Sequence, residues 1–216
     1  MQSKEALKHK NHYTFEDFVD LMKLLRSPDG CPWDREQTHA SIRQNMLEEA
    51  YEACDAIDQN DDAGLCEELG DLLMQVIFHA LIAEDDGAYN LEQILDEVCK
   101  KLIIRHPHVF GEITISNSGE VLQNWESIKN KTKGMNTLRD TLEGVAQALP
   151  ALMRAQKLVS RTKKQNVDIN TILPPANNEK ERIGKALFEI ALAAKENGID
   201  AEEALDHYNN LYISRA

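Results

Sequence analysis

Apolar side chains return every three or four positions over residues 14–26, 38–58, 62–84, 91–105, 119–132, 142–163, 178–197 and 201–213, and no stretch alternates convincingly in the manner of a strand. The pattern predicts an all-α protein. Thr14 ahead of Phe15-Glu16-Asp17 reads as a helix N-cap followed by first-turn acids, and Asp61-Asp62 ahead of Ala63 repeats that arrangement. Ser27-Pro28-Asp29-Gly30-Cys31-Pro32-Trp33-Asp34 is built of turn formers and predicts a loop, with Trp33 expected to pack on the core rather than on a ligand. Periodicity lapses from Gly111 to Ser118 and again from Thr171 to Asn178, around Pro174-Pro175.

The helix over 62–84 departs from the ordinary amphipathic pattern. Leu69, Leu72, Leu73, Met74, Val76, Ile77, Phe78, Leu81 and Ile82 cover nearly all of its surface and leave a narrow polar stripe of Glu68, Asp71, Gln75 and His79. A stripe so enclosed is expected to face the inside of a bundle. At about 100° per residue, Glu68 and Asp71 stand roughly 60° apart, and Glu48, Glu49 and Glu52 of the preceding helix share an arc of roughly 100°. Each cluster therefore points one way. Burying unpaired carboxylates is costly, so the simplest resolution is a hard divalent ion such as Mg²⁺, which takes oxygen ligands and keeps positions open for water and phosphate. The alternative is a solvated acidic face. It stays open for Glu48, Glu49 and Glu52 taken alone, because Met46, Ala50, Ala53 and Ile57 lie largely opposite them.

An internal repeat divides the chain. Gly70-Asp71-Leu72-Leu73-Met74-Gln75-Val76 resembles Gly184-Lys185-Ala186-Leu187-Phe188-Glu189-Ile190, and the element ending in Leu102-Ile103-Ile104-Arg105 lines up with the one ending in Tyr212-Ile213-Ser214-Arg215. In the second copy Arg182 and Lys185 stand where the first has Glu68 and Asp71, and Leu211 replaces Lys101. A basic pair cannot hold Mg²⁺, so the chemistry is expected in the N-terminal half, with a structural C-terminal half.

Composition narrows the class further. A chain of 216 residues, 42% hydrophobic and 28% charged, is an ordinary globular protein, and a net charge of −13 argues against nonspecific binding to nucleic acid. Cys31, Cys54, Cys66 and Cys99 form no Cys-x-x-Cys pair and read as reduced packing residues, Cys54 and Cys66 sitting among apolar helical positions. The opening residues lack the apolar core of a signal peptide, and the stretch from Leu69 to Ala83 is too short to span a bilayer, so a cytoplasmic protein without membrane contact is expected.

Lys101 and Arg105 lie four residues apart on one helical face, as do Trp125 and Lys129. Cations beside a metal point to a polyphosphate, Arg as a bidentate clamp and Lys as a point charge, with Trp to cover a base or sugar. The alternative is that Lys101 and Arg105 pair with acids on a very acidic surface. Arg105-His106-Pro107-His108 has no third soft ligand evident and reads as a helix-ending turn.

The paired acids, the Cys31-Pro32-Trp33-Asp34-Arg35-Glu36-Gln37-Thr38-His39 loop and the run from Lys101 through Arg105-His106-Pro107-His108-Val109-Phe110-Gly111 strongly resemble MazG-type nucleoside triphosphate pyrophosphohydrolases over about residues 14–132. Residues 141–216, beginning at Gly144-Val145-Ala146-Gln147, resemble a shortened second domain of that family. The resemblance implies a helical bundle with a catalytic domain over 1–135 and a degenerate copy over 136–216 without the metal-binding acids. It makes Glu49, Glu52, Glu68 and Asp71 the ligands of Mg²⁺, with Mn²⁺ as a substitute. Asn45, Lys101, Arg105 and Trp125, with Lys129, are then the nucleotide contacts. The implied reaction is Mg-dependent hydrolysis of a nucleoside triphosphate to the monophosphate and pyrophosphate, a nucleotide-pool house-cleaning activity. Glu48 is the candidate base, with Lys101 and Arg105 steadying the leaving pyrophosphate. Two-domain members can keep activity mainly in the C-terminal copy, which here lacks both acidic elements, so the N-terminal site has to act or the chain is a weakly active relative.

Two rivals remain. A di-iron bundle needs a Glu-x-x-His pair on two helices, and only Glu36-Gln37-Thr38-His39 fits. A nonenzymatic helical interaction module, its acids kept as a solvated or oligomer-facing surface, would show no metal-dependent turnover of any nucleotide, and a catalytically weak interaction or regulatory module of the same fold is the intermediate case. The nearly all-round apolar helix 69–83 cannot bury itself within a small domain, so at least a homodimer is expected.

Overall fold

The computed structural model describes residues 3–115, 117–132 and 134–215, the side chains of 123, 126 and 131 excepted. All regular structure among the described residues is helical. Two compact units divide the chain, Met1–Ile104 and Arg105–Ala216. The division falls earlier than the expected domain boundary at 135, because it follows packing rather than the repeat.

The first unit contains α1 (Lys4–Lys8), α2 (Phe15–Arg26), α3 (Pro32–Glu36), α4 (Arg43–Gln59), α5 (Asp62–Asp85) and α6 (Leu91–Arg105), whose last residue crosses into the second unit. Thr14 caps α2 in a full capping box with Asp17, each satisfying the other's backbone N–H. Asp61 caps α5 by accepting from Ala63 and Gly64, while Asn60 closes α4 in a left-handed conformation at φ 55°. That short connection turns α4 and α5 into an antiparallel hairpin, the most extensive helix pair of the unit. The core gathers where α2 crosses the C-terminal half of α5, from Met22, Ile42, Ile77, Phe78, Leu81 and Ile82.

Four local expectations change. The 38–58 helix starts only at Arg43, because Thr38 and Ser41 bond each other's backbone N–H through their hydroxyls and hold a turn. Within the expected loop, Pro32 opens the short α3, its fixed φ suiting a first helical position. Trp33 meets Phe78 edge to face at 6.5 Å yet stays 56% exposed, so only part of it packs on the core. Cys54, Cys66 and Cys99 are exposed and all four cysteines are free, which corrects the packing role expected of those three. α4 turns Ala53 and Ala56 inward instead and leaves Ile57 exposed.

The second unit holds α7 (Pro107–Phe110), α8 (Ser118–Thr132), α9 (Leu138–Glu143), α10 (Ala151–Lys164), a 3-10 turn at Ile169–Thr171, α11 (Glu179–Glu196) and α12 (Ala201–Ile213). The helix expected over 142–163 is two, since Gly144 ends α9 and Pro150 stands before α10. Ala155, Ala191 and Ala201 form the centre of a close three-helix contact. Buried Gln156 ties it together, donating to the Ile199 carbonyl at 2.8 Å and accepting from the Ala201 N–H at 3.3 Å. No described helix is long and apolar enough to cross a membrane.

Candidate functional site

The α4–α5 hairpin brings Glu49 opposite Glu68 and Asp71. Each is half-buried, and one carboxylate oxygen from each lies within 4.8 Å of the other two. Glu68 and Asp71 meet on one face because they are three residues apart on α5, and antiparallel pairing supplies Glu49 from α4. Desolvation, then Asp71, Glu52, Glu68 and Glu48 in that order, push the Glu49 carboxyl above the usual glutamate range. Glu68 is raised as well, by desolvation and then by Glu52, Glu67 and Asp71. Among the described residues, the charges that shift the two are all acids. Glu52 is exposed, one turn along α4 from Glu48, and acts on both. Three carboxylates with converging oxygens, two of them raised by neighbouring acids, suit a hard divalent ion.

The remaining candidates are distributed unevenly. Glu48 and Lys101 are exposed and Asn45 is half-buried at the start of α4. In the second unit Arg105 stacks over Trp125 with its guanidinium carbon 5.3 Å from the ring centre, and His106 meets the same ring at 4.9 Å. Lys129 lies one turn beyond Trp125 on α8 and is half-buried. The structure thus groups Glu49, Glu68 and Asp71, with Glu52 beside them, and separately groups Arg105 with Trp125.

One pairing escaped the sequence. His39 and His79, 40 positions apart, bring their Nδ1 atoms to 2.7 Å with nearly parallel rings. Burial and then His39 hold the His79 imidazole below its usual range. His79 was visible in the polar stripe, but nothing local points to His39 as its partner. In the same stripe, Gln75 is buried with its Oε1 lacking a hydrogen-bond partner among the described residues.

An all-helical chain carrying this carboxylate trio can be compared with known proteins. Residues 37–110 match the MazG nucleotide pyrophosphohydrolase domain. The chain is 40% identical over 189 residues to a nucleoside triphosphate pyrophosphohydrolase of Escherichia coli K12, across 87% of this chain and 72% of that one. It is 35% identical over 217 residues to the nucleoside triphosphate pyrophosphohydrolase/pyrophosphatase MazG of Thermotoga maritima, across 93% and 83%. The Bacillus subtilis protein YabN is 36% identical over 225 residues, across 94% of this chain but 46% of YabN, so the chain spans just under half of that relative. The chain belongs to the MazG family of nucleoside triphosphate pyrophosphohydrolases, a family of hydrolases.

Proposed function

We propose that the chain hydrolyses nucleoside triphosphates between the α and β phosphates, releasing nucleoside monophosphate and pyrophosphate, and that it does so with Mg²⁺ or, in substitution, Mn²⁺. The observation that carries the reading is the trio of Glu49, Glu68 and Asp71, whose oxygens converge within 4.8 Å without a compensating cation among the groups that shift them. Glu49, Glu52, Glu68 and Asp71 would hold the ion. When bound, it supplies charge neutralisation at phosphate oxygens and acidifies a coordinated water.

The protein's own groups do the rest. Glu48, exposed beside Glu49, accepts the proton of the water that attacks the α phosphorus. The bond from that phosphorus to the bridging oxygen breaks, and pyrophosphate leaves with the negative charge that Lys101 and Arg105 offset. Asn45 and Lys129 offer hydrogen bonds to the nucleotide, and Trp125 offers a face to its base. We assign the chemistry to residues 1–135 and read 136–216 as the degenerate copy, with removal of unwanted cytoplasmic nucleotides as the role.

Assembly belongs to the same reading. No residue of α6 is buried, and Leu95, Val98, Leu102, Ile103 and Ile104 are all exposed along it. An apolar helix face of this length calls for a partner, and a second copy of the chain is the one proposed. Incubating the chain with common nucleoside triphosphates and Mg²⁺ while following pyrophosphate release tests the activity. Turnover that survives Glu52→Gln and Asp71→Asn at the wild-type rate would overturn the site assignment, and no turnover of any nucleotide would favour the regulatory module.

A further inference from the structure

His39 and His79 meet in a way that leaves room for one hydrogen. Their planes are 10° apart, and the 2.7 Å between the Nδ1 atoms plus one ring radius on either side makes up the 5.0 Å between ring centres. Each Nδ1 therefore points straight at the other. Two bare nitrogens would oppose lone pairs at that distance and two N–H groups would collide, so one ring donates from Nδ1 and the other accepts. A proton added at Nε2 of the donor makes that ring an imidazolium and turns the contact into a stronger, charge-assisted hydrogen bond. His39 is exposed and His79 half-buried, so the charge rests on His39 and His79 Nδ1 is the acceptor. A second proton has only that acceptor to occupy, and there it removes the hydrogen bond and sets two like charges side by side.

Burial and then His39 hold His79 below its usual range, and among the described residues no acid adds to that shift. The elements packed around the pair carry Asp20, Lys23 and Arg26 on α2, Asp34, Arg35 and Glu36 on α3 and Arg43 at the start of α4, none of which contributes to it. Arg26 is engaged already, donating to Asp85 and to the Asp34 carbonyl at 2.6 Å each. On α5 itself Asp71 lies about 12 Å before His79 along the axis, and Glu84 and Asp85 follow on other faces.

The turn that the pair holds is otherwise self-contained. Gln37 donates to the Trp33 carbonyl at 2.8 Å, the Ser41 hydroxyl donates to Gln37 Oε1 at 2.7 Å, and Thr38 and Ser41 bond each other. Among the described residues, the histidine contact is the one hydrogen bond that ties residues 37–41 to α5. Directly beyond the turn, α4 starts at Arg43 and carries Asn45, Glu48, Glu49 and Glu52.

We propose that this pair is an acid-sensitive latch, which fastens residues 37–41 to α5 with no added proton or one, and releases them when a second proton lands on His79 Nδ1. The ordinary imidazole value is about 6.5 and His79 lies below it, so the latch is closed at neutral pH and opens on acidification. Its contribution to stability is present above the unfolded value and is lost as pH falls through the folded one. That a released turn slackens the start of α4 and lowers turnover rests on the proposed function; the latch itself does not.

Backbone hydrogen exchange of the full chain in EDTA at about pH 7.5 and about pH 5, corrected for intrinsic rates, tests it. Residues 37–46 should lose at least about tenfold in protection at the lower pH while α10 and α11 keep theirs. His79→Gln removes the titrating acceptor but keeps a hydrogen-bonding side chain, and it should abolish that response, as should His39→Gln, with each fold checked by circular dichroism. Glu68→Gln should retain the response, which separates the pair from the raised carboxyls of Glu49 and Glu68. Imidazole ¹⁵N shifts of the wild type at about pH 7.5 should show His39 protonated at Nδ1 and His79 at Nε2 alone. The proposal is overturned by equal protection of residues 37–46 at the two pH values, by an undiminished response in both histidine variants, by its loss in Glu68→Gln, or by a proton on His79 Nδ1 at the higher pH. None of these readouts uses a nucleotide, so the expected results in a chain that releases no pyrophosphate would leave the latch standing and refute only the catalytic reading.

Discussion

Asp71→Asn separates a metal centre from a solvated acidic patch, and the geometry sets what should happen. Octahedral Mg²⁺ places its oxygens about 2.1 Å away, hence neighbouring ligand oxygens about 3 Å apart and opposite ones about 4.2 Å apart. The trio's oxygens lie within 4.8 Å of one another, so closing on an ion requires movements of no more than about 2 Å. Side-chain rotation supplies that without displacing the α4–α5 backbone. An ion at a hundred times its dissociation constant stabilises the fold by about 2.7 kcal/mol. At roughly 2–4 °C per kcal/mol for a chain of this size, the unfolding temperature should rise by roughly 5–10 °C. Asp71→Asn removes the largest charge contribution raising Glu49, so in EDTA the variant should unfold at or above the wild-type temperature, and Mg²⁺ should then shift it little. Thermal unfolding in EDTA and in saturating Mg²⁺ measures both. Equal Mg²⁺ shifts in the two proteins, or no shift in the wild type with either Mg²⁺ or Mn²⁺, would refute the reasoning.

The Glu49 and Glu68 carboxyls lie above their ordinary range in the fold, so their contribution to stability is fully present below the unfolded value, about 4.3, and is lost as pH rises through the folded values. In EDTA the stability of wild type relative to Glu68→Gln should therefore fall as pH rises from about 4 to 7, checked by urea denaturation at each pH. Arg105→Ala should slow pyrophosphate release for all bases by a similar factor, whereas Trp125→Ala should change the ranking among bases; the reverse pattern in steady-state kinetics would exchange their roles. Light scattering should find the full chain at least dimeric at micromolar concentration, and a monomer there would mean that the exposed face of α6 needs no second copy.

The legible parts of this protein are those written within one helix. The stripe of Glu68, Asp71, Gln75 and His79 stands out because apolar residues surround it, and the structure buries Gln75 and half-buries the other three. The caps at Thr14 and Asp61 were readable because a cap and its acceptors sit within three residues. What crosses the chain was not. The His39–His79 pair depends on how α3 and α4 fold back over α5. The α9–α10 division was missed because apolar spacing continues through Gly144–Pro150, although Pro150 could have revealed it. Cys54 misled for a related reason: small apolar residues flank it on α4, and only the hairpin's rotation decides that Ala53 and Ala56 turn inward.

The proposed second copy shows what becomes of such a position once its acids are gone. Arg182, aligned with Glu68, donates from Nε and Nη2 to the two carboxylate oxygens of Glu179 at 2.8 and 2.5 Å on the same helix. Lys185, aligned with Asp71, stands 3.7 Å from Glu189 one turn on. The consequences for the neighbouring carboxyls have opposite signs. Glu179 is held below its usual range by the Arg182 hydrogen bonds, whereas Glu49 and Glu68 are pushed above theirs by desolvation and by other acids. The α11 face supplies its own countercharge within one turn and has no use for an external cation there. The α4–α5 face has acids from two helices and, among the described residues, no cation among the charges that shift Glu49 and Glu68. A bound divalent ion is the countercharge proposed for it.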